Sequence, residues 1–269
     1  MGKCSYCDVE AKMTKEHIWS SGVLRVFDAV APLTFDDDRN LVHGHDPVVK
    51  DLCAACNNGL SDADSEAIRF TSGALAGRLV LGTNLSCASD LLKLWALKTA
   101  SNCERAHPRG GDWWKDYKAT LRGLAPIPST VVTAFAAWED RSLHEIASMF
   151  GQVRELMAMS GMFLGTQTMD ADALQRRFDR VWVLKVGFGV FGVFVVRSGD
   201  RDPASAEQAL MAEIAPWGWQ LVADNMTVQS IPFSARTSGF PGLLAPPALS
   251  DEMIVATIRA ARFRREHAF

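Results

Sequence analysis

The chain has 269 residues, 48% of them hydrophobic, with a formal net charge of −3 and a pI near 6.1. That length and apolar content exclude a disordered or fibrous protein and suit a soluble globular one with two domains, or one large domain and a small appendage. The charge balance leaves no broad cationic surface, so it excludes a protein that simply coats DNA; any contact with nucleic acid has to come from a local cluster of Lys and Arg.

The chain opens on MGKCSYC, which has no basic segment leading into an apolar run, so no secretory signal is expected. MGKC also lacks the Ser or Thr of a myristoylation signal, and a cytoplasmic setting is expected. Six cysteines in a reducing compartment do not make a disulfide framework. Four of them form two CxxC pairs, while Cys87 and Cys103 stand alone and read as buried free thiols. The first 65 residues hold all four paired cysteines together with His17, His43 and His45, and show little helical periodicity before Cys53. A small metal-stapled domain is built this way, and its limits are set at 1–70.

From Cys53 the sequence turns helical, with Leu60, Ala63, Ala67 and Phe70 or Ile68 at three- to four-residue spacing. A second helix is expected over Asp90 to Glu104, with Leu91, Leu94, Trp95, Leu97 and Lys98 wrapping one side, until HPRGGDWW breaks it. A strand is expected across Val131 to Phe135. The run Val181 to Val196 is too short and too rich in glycine for a membrane span, and reads as two buried strands with a tight turn near Gly187 to Gly189. APWGWQ and IPFS read as loops whose aromatic residues pack inward. Asp251 to Ala268 is expected to be a terminal helix, its arginines late, where cations suit the helix dipole. The expected fold class is therefore α+β, with residues 71–269 a larger mixed domain of unknown recognition role.

Cys4, Cys7, Cys53 and Cys56 supply the four thiolates of a closed tetrahedral structural zinc site. The 45 residues between the pairs exceed the usual spacing of about 15 to 20, so a hairpin and a loop must bulge out between them. A redox dithiol is disfavoured, because such a site needs one pair after a strand. A closed four-thiolate site has no open coordination position, so chemistry would need a second ion. Glu16 offers a hard oxygen to Mg²⁺ or Mn²⁺, and Asn57, directly after a zinc ligand, offers an amide oxygen. His17 would take a proton from water in phosphodiester hydrolysis. Neighbours on a regular strand face opposite ways, so Glu16 and His17 flank one site only at a bend. The plain structural reading makes Glu16 and His17 a surface pair and Asn57 a helix cap.

CSYC, KEHIW and LCAACNNGLSDAD together resemble the zinc-containing HNH (ββα-metal, treble-clef) endonuclease family. The resemblance implies a small zinc-stapled ββα domain, Glu16 and Asn57 as ligands of the catalytic divalent ion, and His17 as general base. EHIW, CNNG and LWALKTA resemble a bacterial group of HNH proteins of about this length, which extends the likeness past residue 100. The position of the family's middle asparagine is Val48 here, and Ser20 follows Trp19 where the family has a hinge proline. The implied activity is cleavage of nucleic acid, DNA ahead of RNA, in bacterial or phage defence. The alternative is a catalytically inactive treble-clef zinc module that binds nucleic acid or a protein partner.

Residues 1–65 carry six Lys and Arg against eleven Asp and Glu, an awkward balance for a surface that meets phosphate. Lys15, Arg25 and Lys50 are nearest in sequence to the proposed centre and are the expected phosphate contacts. Arg259, Arg262 and Arg265 share one face of the terminal helix by i, i+3 spacing and form a second candidate patch. His43 and His45 alternate within VHGHDP and read first as part of a solvated loop. A protein partner, if there is one, would use the C-terminal domain.

Overall fold

In the N-terminal knuckle, β1 (Gly2–Lys3) pairs antiparallel with β2 (Glu10–Ala11). Between them the Cys4 N–H donates to Val9 O and the Asp8 N–H to Cys4 O, both at 2.9 Å. Asp8 closes the turn with φ of 61°, a left-handed conformation that Asp adopts more readily than most residues. The computed structural model describes residues 1–26, 34–36, 41–43, 48–76, 84–106, 112–138, 164–165, 178–186, 189–196, 202–227 and 230–231.

β3 (Met13–His17) pairs antiparallel with β6 (Val48–Cys53); between them in sequence lie α1 (Ser21–Val26) and the small hairpin of β4 (Thr34–Asp36) and β5 (Leu41–His43). Thr14 faces Leu52, yet Glu16 faces Val49, so β6 carries one extra residue in a bulge beside Lys15. Directly after Cys53 the chain becomes α2 (Ala54–Asn58), turns at Gly59 and Leu60, and continues as α3 (Ser61–Ala76). Leu60, Ala63, Ala67 and Phe70 all point inward, as their spacing requires.

α4 (Ser89–Ala106) is longer than expected, and its burial differs from the one-sided pattern read in the sequence. Leu91 and Leu94 are half-buried, whereas Leu92 and every residue from Trp95 to Asn102 are buried. A helix covered on nearly all sides is a central helix, and its polar residues must find partners inside the protein.

The main sheet runs in the order β12 (Gln220–Leu221), β8 (Val131–Trp138), β11 (Gly189–Val196), β10 (Phe178–Val186) and β9 (Leu164–Gly165), with β14 (Ser230–Ile231) also pairing on β8. β10 and β11 form the expected hairpin, closed by the Val186–Gly189 pair. β7 (Asn84–Ser86) pairs with β13 (Asn225–Thr227) at the start of α4.

Strand alternation sorts the sheet into two faces. Val131, Phe135, Phe191, Val193 and Val195 join a core that includes Tyr6, Trp19, Phe70, Trp95 and the paired cysteines. Val132, Ala134, Ala136, Phe194 and Val196 turn the other way, onto Ala206, Leu210 and Ile214 of α5 (Pro203–Ile214). The side chain of Asp202 caps α5 by accepting from the Ser205 N–H at 3.1 Å, with Pro203 at the first helical position. Trp219 of APWGWQ packs in this second core.

The described chain is thus mixed α and β, with several small sheets and a four-cysteine cluster near the N-terminus. The boundary read at residue 70 falls inside α3, and one core continues across it. No described helix is long and apolar enough to cross a membrane. The terminal segment 251–269 and His45 lie outside the described residues.

Candidate metal centre and its surroundings

The Sγ atoms of Cys4, Cys7, Cys53 and Cys56 all lie within 4.8 Å of one another, and those of Cys7 and Cys53 are 3.8 Å apart. A tetrahedral ion with metal–sulfur bonds of about 2.3 Å sets its sulfurs about 3.8 Å apart, so the cluster has the size the ion needs. Among the described residues it is the one group of three or more Cys, His, Asp or Glu placed to hold a metal ion. The knuckle supplies one pair, while the end of β6 and the first turn of α2 supply the other. The Cys53 N–H points at Cys4 Sγ, 3.4 Å away.

Burial would raise the Cys4 thiol, but N–H groups of Cys53, Cys7 and Tyr6 outweigh it and bring the group down to about 6. Cys56 moves the opposite way, pushed up by burial and by the thiols of Cys7, Cys53 and Cys4. Four sulfurs in so small a volume resist sharing more than one negative charge, and a bound dication relieves that conflict. An all-sulfur set is soft and closed, the kind that suits structural zinc and leaves no position for water. Cys87 and Cys103 stand apart from it. Burial pushes their thiols up to about 11 and about 12, and Cys87 donates to Ala223 O at 3.0 Å.

Glu16 is buried, and its carboxylate faces α4. Oε1 lies 2.7 Å from Lys98 Nζ and 3.3 Å from Asn102 Nδ2. Lys98 in turn reaches Asp64 of α3 at 2.8 Å. Burial alone would lower the Lys98 ammonium, but Asp64 and Glu16 together hold it above the usual lysine range. Both of these contacts fall on Oε1. The three side chains carry two negative charges and one positive, so the cluster keeps one net negative charge.

His17 is half-buried at the end of β3, opposite Val48. Its carbonyl accepts from Asn102 Nδ2 at 3.0 Å. Beyond it, Ile18 and Trp19 enter the core, where Trp19 packs against Trp95 with centroids 5.8 Å apart, and Trp95 Nε1 donates to Ser20 Oγ at 3.3 Å. Asn57 sits on α2, and its Nδ2 donates to Thr14 Oγ1 at 3.0 Å and to Lys15 O at 3.2 Å. Its contacts therefore join the helix start to β3 just before Glu16, while those of Glu16 run to α4.

Lys15 and Lys50 are exposed on the two strands of the hairpin. Arg25 is exposed on α1, where it donates to Ser21 O and Ser21 Oγ, both at 3.2 Å. Arg259, Arg262 and Arg265 lie outside the described residues, and of His43 only its place in β5 is described.

Sequence reading missed Asp64, Lys98, Asn102 and Arg105. Arg105 donates to Asp51 Oδ1 at 2.6 Å and to Asn102 Oδ1, and its guanidinium lies 4.8 Å from the Tyr6 ring centroid and 5.7 Å from that of Trp114. The overlooked signal is a polar stripe at 98, 102 and 105, four and then three residues apart, on one side of the helix.

No family model, curated protein or solved structure matches the chain.

Proposed function

We propose that the chain is a metal-dependent nuclease of the zinc-containing HNH (ββα-metal, treble-clef) type, hydrolysing phosphodiester bonds, with DNA ahead of RNA as substrate. The observation that carries this reading is the join of β3 to α2. Four thiols sit at the base of the β3–β6 hairpin, Glu16 and His17 end its first strand, and the Asn57 amide bonds to Lys15 O beside them.

Zinc at the four cysteines would set the angle between hairpin and helix without taking part in the reaction. A second, hard divalent ion would carry the chemistry, held by Glu16 and Asn57. Glu16 would offer its carboxylate and Asn57 its amide oxygen, the Asn57 nitrogen being engaged by Thr14 and Lys15. Bound Mg²⁺ or Mn²⁺ would screen the phosphate and the departing 3′ oxygen. His17 accepts the proton of the attacking water, and the exposed Lys15, Lys50 and Arg25 meet the phosphate backbone. Hydrolysis would leave 5′-phosphate and 3′-hydroxyl ends. A role in bacterial or phage defence, with the C-terminal part choosing the target or a protein partner, extends the same likeness.

A second reading has one observation in its favour. The Glu16–Lys98 pair, with both side chains buried, resembles a purely structural ion pair, as in a catalytically inactive treble-clef module that binds nucleic acid or protein. A plasmid-nicking assay with Mg²⁺ or Mn²⁺ separates the two. Under the nuclease reading wild type nicks, and His17→Ala loses on the order of 100-fold or more in rate at unchanged zinc content. Wild type that is inert across metals and substrates yet still binds DNA supports the silent module, and nicking that survives His17→Ala removes His17 as base.

A further inference from the structure

We infer that Asn102, held by Arg105, is the positioning residue for His17, so that the fourth turn of α4 belongs to the active site although no atom of it meets substrate. The inference rests on the nuclease reading for its catalytic meaning. Asn102 is completely buried, and every polar atom of its amide is used. Nδ2 donates to His17 O at 3.0 Å, with Glu16 Oε1 at 3.3 Å and Ile18 O at the outer limit of 3.5 Å. Oδ1 accepts from Arg105 Nη2. Arg105 donates only, so it fixes which end of the amide faces it and therefore which end faces the strand.

The location makes this bond more than a packing detail. β3 ends at His17, and the pairing with β6 ends with it at Val48, so the ladder does not hold the chain beyond that residue. A strand end whose carbonyl is unclaimed is free to turn about its last φ, and that rotation carries the carbonyl and the side chain of the same residue together. Asn102 claims the His17 carbonyl, touches the carboxylate before it and reaches toward the carbonyl after it. Three consecutive residues are gripped by one side chain. Arg105 is anchored in its turn by Asp51 of β6 and stacked against Tyr6 of the knuckle, so the grip is referred back to the metal-stapled hairpin. Small errors in the placement of a catalytic group cost about 100-fold per ångström, so such a grip bears on rate.

The test compares wild type with Asn102→Leu, which keeps the volume and removes both hydrogen-bonding ends, and with Asn102→Ser should the leucine variant not fold by circular dichroism. Two quantities are read on zinc-loaded protein: the His17 imidazole Cε1–Hε1 NMR signal, assigned through His17→Ala, and kcat and KM for plasmid nicking. The signal is expected to shift or split, and kcat to fall about 10- to 100-fold with KM within about threefold. An unmoved His17 signal in a folded, zinc-loaded variant overturns the positioning role, whatever the activity. A shifted signal with kcat unchanged also overturns it, because the ring would then have moved without consequence. If wild type does not nick, the nuclease reading fails on its own, and the His17 signal still decides whether Asn102 positions the ring.

Discussion

Lys98 carries an ammonium into the interior, its side chain 5% exposed, and survives there because Glu16 and Asp64 face it at 2.7 and 2.8 Å. Replacing it with Met leaves two carboxylates around an apolar chain, Glu16 fully desolvated. Lys98→Met is expected to cost about 3–5 kcal/mol in urea denaturation, and the double variant Glu16→Gln/Lys98→Met to recover a large part of it, since the penalty lies in the stranded charge. The titration follows the same logic. Lys98 is held above its ordinary range by Asp64 and Glu16 against burial, so its contribution is fully present below the unfolded lysine value of about 10.4 and is lost as pH rises through the folded one. Stability measured from about pH 10 upward should therefore fall more steeply in wild type than in the double variant.

At the scale of elements, α4 shows what a sequence discloses and what it hides. The helix itself, the β10–β11 hairpin and the two CxxC pairs were legible, because periodicity, glycine placement and cysteine spacing are local signals. That α4 lies under KEHIW was not, because Lys98, Asn102 and Arg105 meet residues 34 to 99 positions away and nothing local marks their partners. The β6 bulge was equally hidden, being a matter of register between strands 38 residues apart. Glu66 joins α3 to α4 in the same nonlocal way: its Oε1 accepts from the Ala88 N–H, at the start of α4, at 2.7 Å while both oxygens hold Arg69. Arg69, against the opposing effect of burial, keeps the Glu66 carboxyl below the usual range, and Ala88 adds to this. A depressed carboxyl stabilises above its unfolded value of about 4.3 and loses that contribution as pH falls through the folded one. Glu66→Gln should thus be about 1 kcal/mol less stable at pH 7, a figure kept low because Arg69 is largely solvated, and the deficit should shrink as the solution is acidified in a series of urea titrations.

At the scale of the whole molecule, the cysteine cluster is not an isolated staple. Cys4, Cys53 and Cys56 belong to the same apolar core as Trp95, Phe135, Phe191 and Met226, so the metal-binding end and the large sheet share their buried surface. Arg105 adds a polar tie, running from α4 to β6 between the rings of Tyr6 and Trp114. Zinc should then be present at about one ion per chain and be lost in Cys53→Ser, and its binding energy should stabilise more than the 1–70 segment that holds it. Hydrogen exchange followed before and after chelation tests how far that stabilisation reaches. If the core acts as one unit, removing zinc lowers protection in α4 and in β8 and β11 together with β3 and β6. A loss confined to residues 1–70, with the sheet amides exchanging as before, would instead mark the knuckle and hairpin as a separate folding unit whose contacts with α4 carry little energy.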